Sequence, residues 1–161
     1  MDRYFRQGVY ETLAEVFETV FLIPLEHMEG GVPTRGVGEW RRDYLEVRID
    51  LHRGRNCPAF FFFPVALVKE IADAFLGMNI EAMDMVGLAP VAQMAARVAI
   101  GGLLARVDPG ALIRAGEPQF RCIDNFAPGK NYAMTGAWVY KTGQGYLWVD
   151  VGRIEEVAHC C

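Results

Sequence analysis

Residues 44–77 read YLEVRIDLHRGRNCPAFFFFPVALVKEIADAFLG, and this stretch decides the architecture. Tyr44, Val47, Ile49 and Leu51 fall in a largely alternating run with Glu46, Arg48 and Asp50, the pattern of a strand with one buried face. Gly54-Arg55-Asn56 supplies turn chemistry. Cys57 to Phe63 follows as an almost wholly apolar run, expected of a strand covered on both faces, and the two strands form a hairpin. Pro64 then opens a helix, where its missing N–H goes unpaired in any case. Val68, Ile71, Ala72, Phe75 and Leu76 make the buried stripe of that helix, and Gly77 stops it.

Toward the N-terminus, residues 2–21 carry Val9, Leu13, Val16, Phe17, Val20 and Phe21 at helical spacing, with Glu11, Glu15 and Glu18 on the other side and Pro24 beyond. The Gly-rich stretch 29–39 contains Pro33 and lacks the Gly-Lys-Ser/Thr ending of a phosphate-binding loop, so it reads as a connection. Toward the C-terminus, residues 84–107 read as a helix that Pro90 begins or kinks, with Met94, Val98, Leu103 and Leu104 as core. Asp108-Pro109 ends it, and a turn or short helix runs on to Arg114. Residues 119–123, 132–141 and 146–151 read as strands, the last two joined by Gly143-Gln144-Gly145. Helix, two strands, two helices and three strands specify an α+β layer sandwich with a mostly antiparallel sheet. Residues 1–161 form one domain, with 152–161 expected as a flexible tail.

The 161 residues are 52% hydrophobic and 22% charged, typical of a folded domain. Sixteen basic residues stand against 20 acidic ones, net −4, and Arg41, Arg42, Arg53 and Arg55 make no basic face, so nucleic acid is not expected as a partner. Met1-Asp2-Arg3-Tyr4-Phe5-Arg6 carries no secretory pattern, and no apolar run is expected to approach the length that spans a bilayer, Ala59 to Phe63 being strand-sized. Cytoplasmic residence without membrane partners is therefore the expectation. Cys57 and Cys122 are expected as small buried hydrophobes. Cys160 and Cys161 follow His159 on the tail and supply too few ligands for a metal site. His27, His52 and His159 are scattered, no Ser-His-acid or Cys-His arrangement assembles, and no metal or other cofactor is called for.

In this order of elements the chain resembles the CheX branch of the CheC/CheX/FliY chemotaxis phosphatases. The opening helix from Gly8 to Thr19, the strand–turn–strand around Gly54, Pro64 through Gly77, and the run Met94-Ala95…Val98-Ala99…Leu103-Leu104 carry the resemblance. Asp108-Pro109 and Gly116-Glu117-Pro118 are lesser echoes. The resemblance implies a phosphorylated CheY-like response regulator as partner, and a homodimer formed through sheets, for which Tyr132 to Tyr140 would be the edge strand.

The resemblance also implies a Glu-x-x-Asn pair on an exposed helix, whose acid meets a lysine of the regulator and whose amide orients the attacking water. The ungapped placement puts Gln93 at the acid and Ala96 at the amide, so the catalytic pair is not intact. A shifted placement uses Pro90 and Gln93 and also loses the acid. Gln93 can hydrogen-bond without forming an ion pair, Ala96 holds no water, and Arg97 adds a positive charge beside them. Gln93, Ala96 and Arg97 are therefore the expected binding residues. Glu81 and Asp84 make a nearby acidic pair at the start of the helix, where the helix dipole favours negative charge. The expectation is a regulator-binding module without catalysis. The alternatives are an active phosphatase using altered residues and a structural protein related to the flagellar switch.

Overall fold

The computed structural model describes residues 3–28, 43–77, 83–124 and 137–159. Along these the chain forms α1 (Arg3–Val20), β1 (Glu26–His27), β2 (Tyr44–His52), β3 (Asn56–Pro64), α2 (Val65–Leu76), α3 (Met85–Val107), β4 (Arg114–Ala115), β5 (Gln119–Ile123), β6 (Ala137–Thr142), β7 (Gly145–Asp150) and α4 (Ile154–Ala158). The expected α+β sandwich with an antiparallel sheet is what the chain adopts. The strands lie in the order β1-β6-β7-β3-β2, with β4 and β5 both beside β2, and every pairing is antiparallel.

The alternation in β2 sorts its side chains. Leu45, Val47, Ile49 and Leu51 enter the main core, while Tyr44 packs on the other face with Phe62 and Ile123. Phe61 and Phe63 of β3 join the main core under the helices, whereas on the opposite face, which no described helix covers, Phe62 is buried and Phe60 half-buried among side chains of the sheet itself, their rings stacked. Val9, Leu13 and Phe17 of α1, Val68, Ile71 and Ala72 of α2, and much of α3 complete the helical side of the core. Gly77 caps α2 in the left-handed conformation at φ 55°, the geometry that glycine adopts without a Cβ clash.

Several expectations are corrected. Val20, Phe75 and Leu76 continue helical stripes but are exposed, because the stripes outrun the layer that covers them. Cys57 is buried, whereas Cys122 is exposed on a strand at the edge of the sheet. Residues 154–158 form a helix instead of a tail: Ile154 and Val157 are buried, and Arg53 Nη1 donates to the Ala158 carbonyl at 2.8 Å. Arg114 enters a short strand paired to His52. The expected edge strand is not an edge over its described part, because β1 pairs with Tyr140 and Lys141 and the Met28 N–H bonds the Val139 carbonyl. Finally, α3 is long and apolar enough to cross a membrane by length and composition, against the expectation that no run is. Half of its apolar window is buried inside the fold. The Gly-rich stretch 29–39, Glu81, strand residues 132–136, Cys160 and Cys161 lie outside the described residues.

Candidate functional site

Helix α3 begins where Asp84 accepts the Gly87 N–H at 2.8 Å through its side chain, a side-chain cap on an otherwise unpaired donor. Asp84 is thus engaged in holding the helix start. Pro90 sits in the second turn, so the bond it forgoes would have gone to the carbonyl of Val86, an exposed residue within reach of water. The helix runs on without interruption to Val107.

Rotation of about 100° per residue sorts the side chains of this helix. Relative to Gln93, Arg97 and Pro90 lie about 40° and 60° to one side, and Ala96 lies about 60° to the other. The core is on the Ala96 side. Ala92, Ala95, Ala96 and Ala99 are all buried, and Ala96 has 0% of its surface exposed. Val86, Pro90, Arg97 and Gly101 face outward, with Gln93 half-buried at the margin. Ala96, expected as a binding residue, therefore has no exposed surface, whereas Gln93 is half-buried and Arg97 and Pro90 are exposed. Of the two placements of the helix motif, the one on Pro90 and Gln93 has both positions at the surface.

The segment between β4 and β5 crosses this face. Gln93 Nε2 donates to the Pro118 carbonyl at 2.9 Å, and Arg97 Nη2 lies 2.6 Å from Glu117 Oε2. Glu117 is almost fully exposed, so this ion pair organises the face more than it stabilises the fold. Asp108 aims the segment. Its carboxylate accepts the N–H groups of Leu112 and Ile113 at 3.1 and 2.7 Å, folding the turn after α3 back toward the sheet. Glu117 and Pro118 had no signal as site residues in the sequence, because their partners on α3 are about two dozen positions away and only the turn at Asp108 brings them together.

Other polar groups are occupied elsewhere. Glu46 is buried and takes Arg121 across the strand pair, with Nε to Oε2 at 3.0 Å. Burial pushes the Asp150 carboxyl above its ordinary range, against the Gly152 N–H that bonds it at 2.8 Å. Burial likewise pushes up the Cys57 thiol, whose Sγ donates to the Val151 carbonyl. His27 stacks on Tyr10 with ring centroids 4.1 Å apart, and His159 meets Phe5 edge-on. Among the described residues no group of three or more His, Cys, Asp or Glu is placed to hold a metal ion.

No family model and no curated protein matches the sequence. Solved structures do match in fold. A CheX from Vibrio vulnificus superposes with a TM-score of 0.68 at 14% identity, over 91% of this chain and 93% of its own. A CheC-like superfamily protein from Shewanella gives 0.66 at 15%, over 92% and 96%. The CheX of a CheX–CheY–BeF3–Mg complex from Borrelia burgdorferi gives 0.62 at 9%, over 89% and 93%. FliY from Thermotoga maritima gives 0.61 at 12%, over 99% and 96%. With its helices over one face of an antiparallel sheet and a long apolar helix among them, the chain has the fold of the CheC/CheX/FliY family.

Proposed function

We propose that the chain is a chemotaxis-signalling module that binds a CheY-like response regulator on the exposed face of α3 without hydrolysing its phosphate. One observation carries this reading: from Met85 to Val107 the helix contains no Asp or Glu, and its outer margin carries the half-buried Gln93 carboxamide, bonded to the Pro118 carbonyl, beside the exposed Arg97 guanidinium, paired with Glu117. An amide can position a water or meet a backbone group, but it forms no ion pair with a lysine. The Borrelia burgdorferi CheX, similar in fold, is solved with CheY, BeF3 and Mg.

The test is binding to a receiver domain carrying beryllofluoride, compared with the same domain without it. Tighter binding to the activated form is expected. Pro90→Lys should weaken it at least about tenfold, since it places a long charged side chain in the middle of the face. It should not lower Tm, because a proline leaves a helix. Equal binding to both receiver forms, or binding indifferent to Pro90→Lys, would defeat the reading.

A second reading, an active phosphatase with altered residues, is favoured by Glu117. Its carboxylate pairs with Arg97, while the carbonyl of the next residue, Pro118, takes the Gln93 amide. Under that reading the chain accelerates phosphate loss and Glu117→Gln abolishes the effect.

A further inference from the structure

A second surface lies where α1 and α2 end together. The rings of Phe21 and Phe75 meet edge-on at 5.3 Å. The residues flanking those rings, Val20, Leu22 and Leu76, are exposed, as is Phe75 itself. Leu22 is the most conspicuous. It is 79% exposed and turns the chain at φ 56°, letting the Ile23 N–H return to the Phe17 carbonyl at 3.0 Å. A left-handed turn after a helix favours glycine or asparagine, and an exposed turn gives leucine nothing to pack against. The free protein thus keeps an apolar side chain at a position where both conformation and solvation oppose it.

The charges around this corner are also set against the local field. A helix C-terminus carries partial negative charge and favours bases. Neither α1 nor α2 has a basic residue in its last turn. Instead α1 ends with Glu15 and Glu18, and α2 carries Glu70 and Asp73, all four exposed. None of these four carboxylates takes part in an ion pair among the described residues. Two helix C-termini and their acids therefore concentrate negative potential around an exposed apolar cluster.

We infer that this corner is a docking surface for a cationic, amphipathic peptide segment of a partner protein. The apolar side chains of the segment would cover Leu22, Phe75 and Leu76 while its Lys or Arg residues meet Glu18 and Asp73. Charge complementarity selects this occupant: an acidic segment is repelled, and so is an anionic lipid surface. The inference stands apart from the regulator-binding reading, which uses α3.

The experiment is fluorescence anisotropy of the full chain with a labelled helical peptide of leucine and lysine, beside a leucine–glutamate counterpart. The lysine peptide should bind, more weakly as salt is raised, and the glutamate peptide should not. Leu22→Gly should weaken binding about tenfold while raising Tm, since glycine suits the left-handed turn, so the loss is not unfolding. The double variant Glu18→Lys/Asp73→Lys should weaken it by at least as much, and Pro90→Lys should leave it unchanged. Equal binding of the two peptides overturns the proposal, as does lysine-peptide binding that survives both sets of corner variants. Loss on Pro90→Lys overturns it by placing the peptide on α3. Uptake onto phosphatidylcholine vesicles that is insensitive to Glu18→Lys/Asp73→Lys overturns it in favour of a membrane contact.

Discussion

Ala96 and Gln93 stand three positions apart, and a helix turns such a pair by about 60°, enough here to separate core from surface. That small rotation decides how the helix can be re-equipped. Gln93→Glu with Ala96→Asn should fail, because the new amide would be forced into a buried site with no partner there. A loss of roughly 2–4 kcal/mol is expected by thermal or denaturant unfolding, with no gain of phosphatase activity. Pro90→Glu with Gln93→Asn puts the acid on the exposed side and removes a proline, a gain in helix propensity that offsets the lost bond from Gln93 to the Pro118 carbonyl. This variant should keep its stability and accelerate phosphate release from a phosphorylated receiver domain. Asp150 supplies a pH test at the same scale. Its folded pKa is raised by burial, so the folded chain holds the proton more tightly than the unfolded chain. Its contribution to stability is then greatest at low pH. It falls as pH rises from the unfolded value through the raised folded one. Asp150→Asn keeps an oxygen for the Gly152 N–H and should remove that part of the pH dependence, read from unfolding midpoints between acid and neutral pH.

At the scale of elements, α3 is held between close packing on one side and solvent on the other, and two adjacent glycines report the difference. A Cβ on Gly102 would come within 2.5 Å of Val16 Cγ2 on α1, whereas one on Gly101 meets nothing within 4 Å. Gly101→Ala should therefore stabilise by about 0.5–1 kcal/mol through helix propensity alone. Gly102→Ala gains the same propensity but must push the two helices apart, for a net loss of roughly 1–2 kcal/mol. Opposite shifts of Tm for neighbouring, chemically identical changes would locate the α1–α3 contact. Helix α4 shows what periodicity misses. Its five residues are too few to display a stripe, and its place is set by burial of Ile154 and Val157 and by Arg53, all long-range effects.

Across the whole molecule, the sequence was legible wherever a pattern repeated. The alternation in 44–52, the apolar run ending at Pro64, Gly77 as a stop and the long helix past Pro90 all stand where their chemistry puts them. Two-residue strands such as β1 left no trace, and β1 is what covers the strand expected at the edge. The candidate site was half legible. Gln93 and Arg97 are singled out by laying the motif that the resemblance implies onto the helix, whereas the burial of Ala96 depends on which way the helix faces the sheet. The approach of Glu117 and Pro118 depends on the turn built by Asp108. What emerges is the CheC/CheX/FliY fold with a long helix that carries no Asp or Glu and holds Gln93 half-buried beside an exposed Arg97. The most direct test follows phosphate loss from a phosphorylated CheY-like receiver domain at concentrations of this chain that saturate binding. The receiver's own rate, unchanged, is the predicted result; a rate that rises with saturation would contradict a binding module without catalysis.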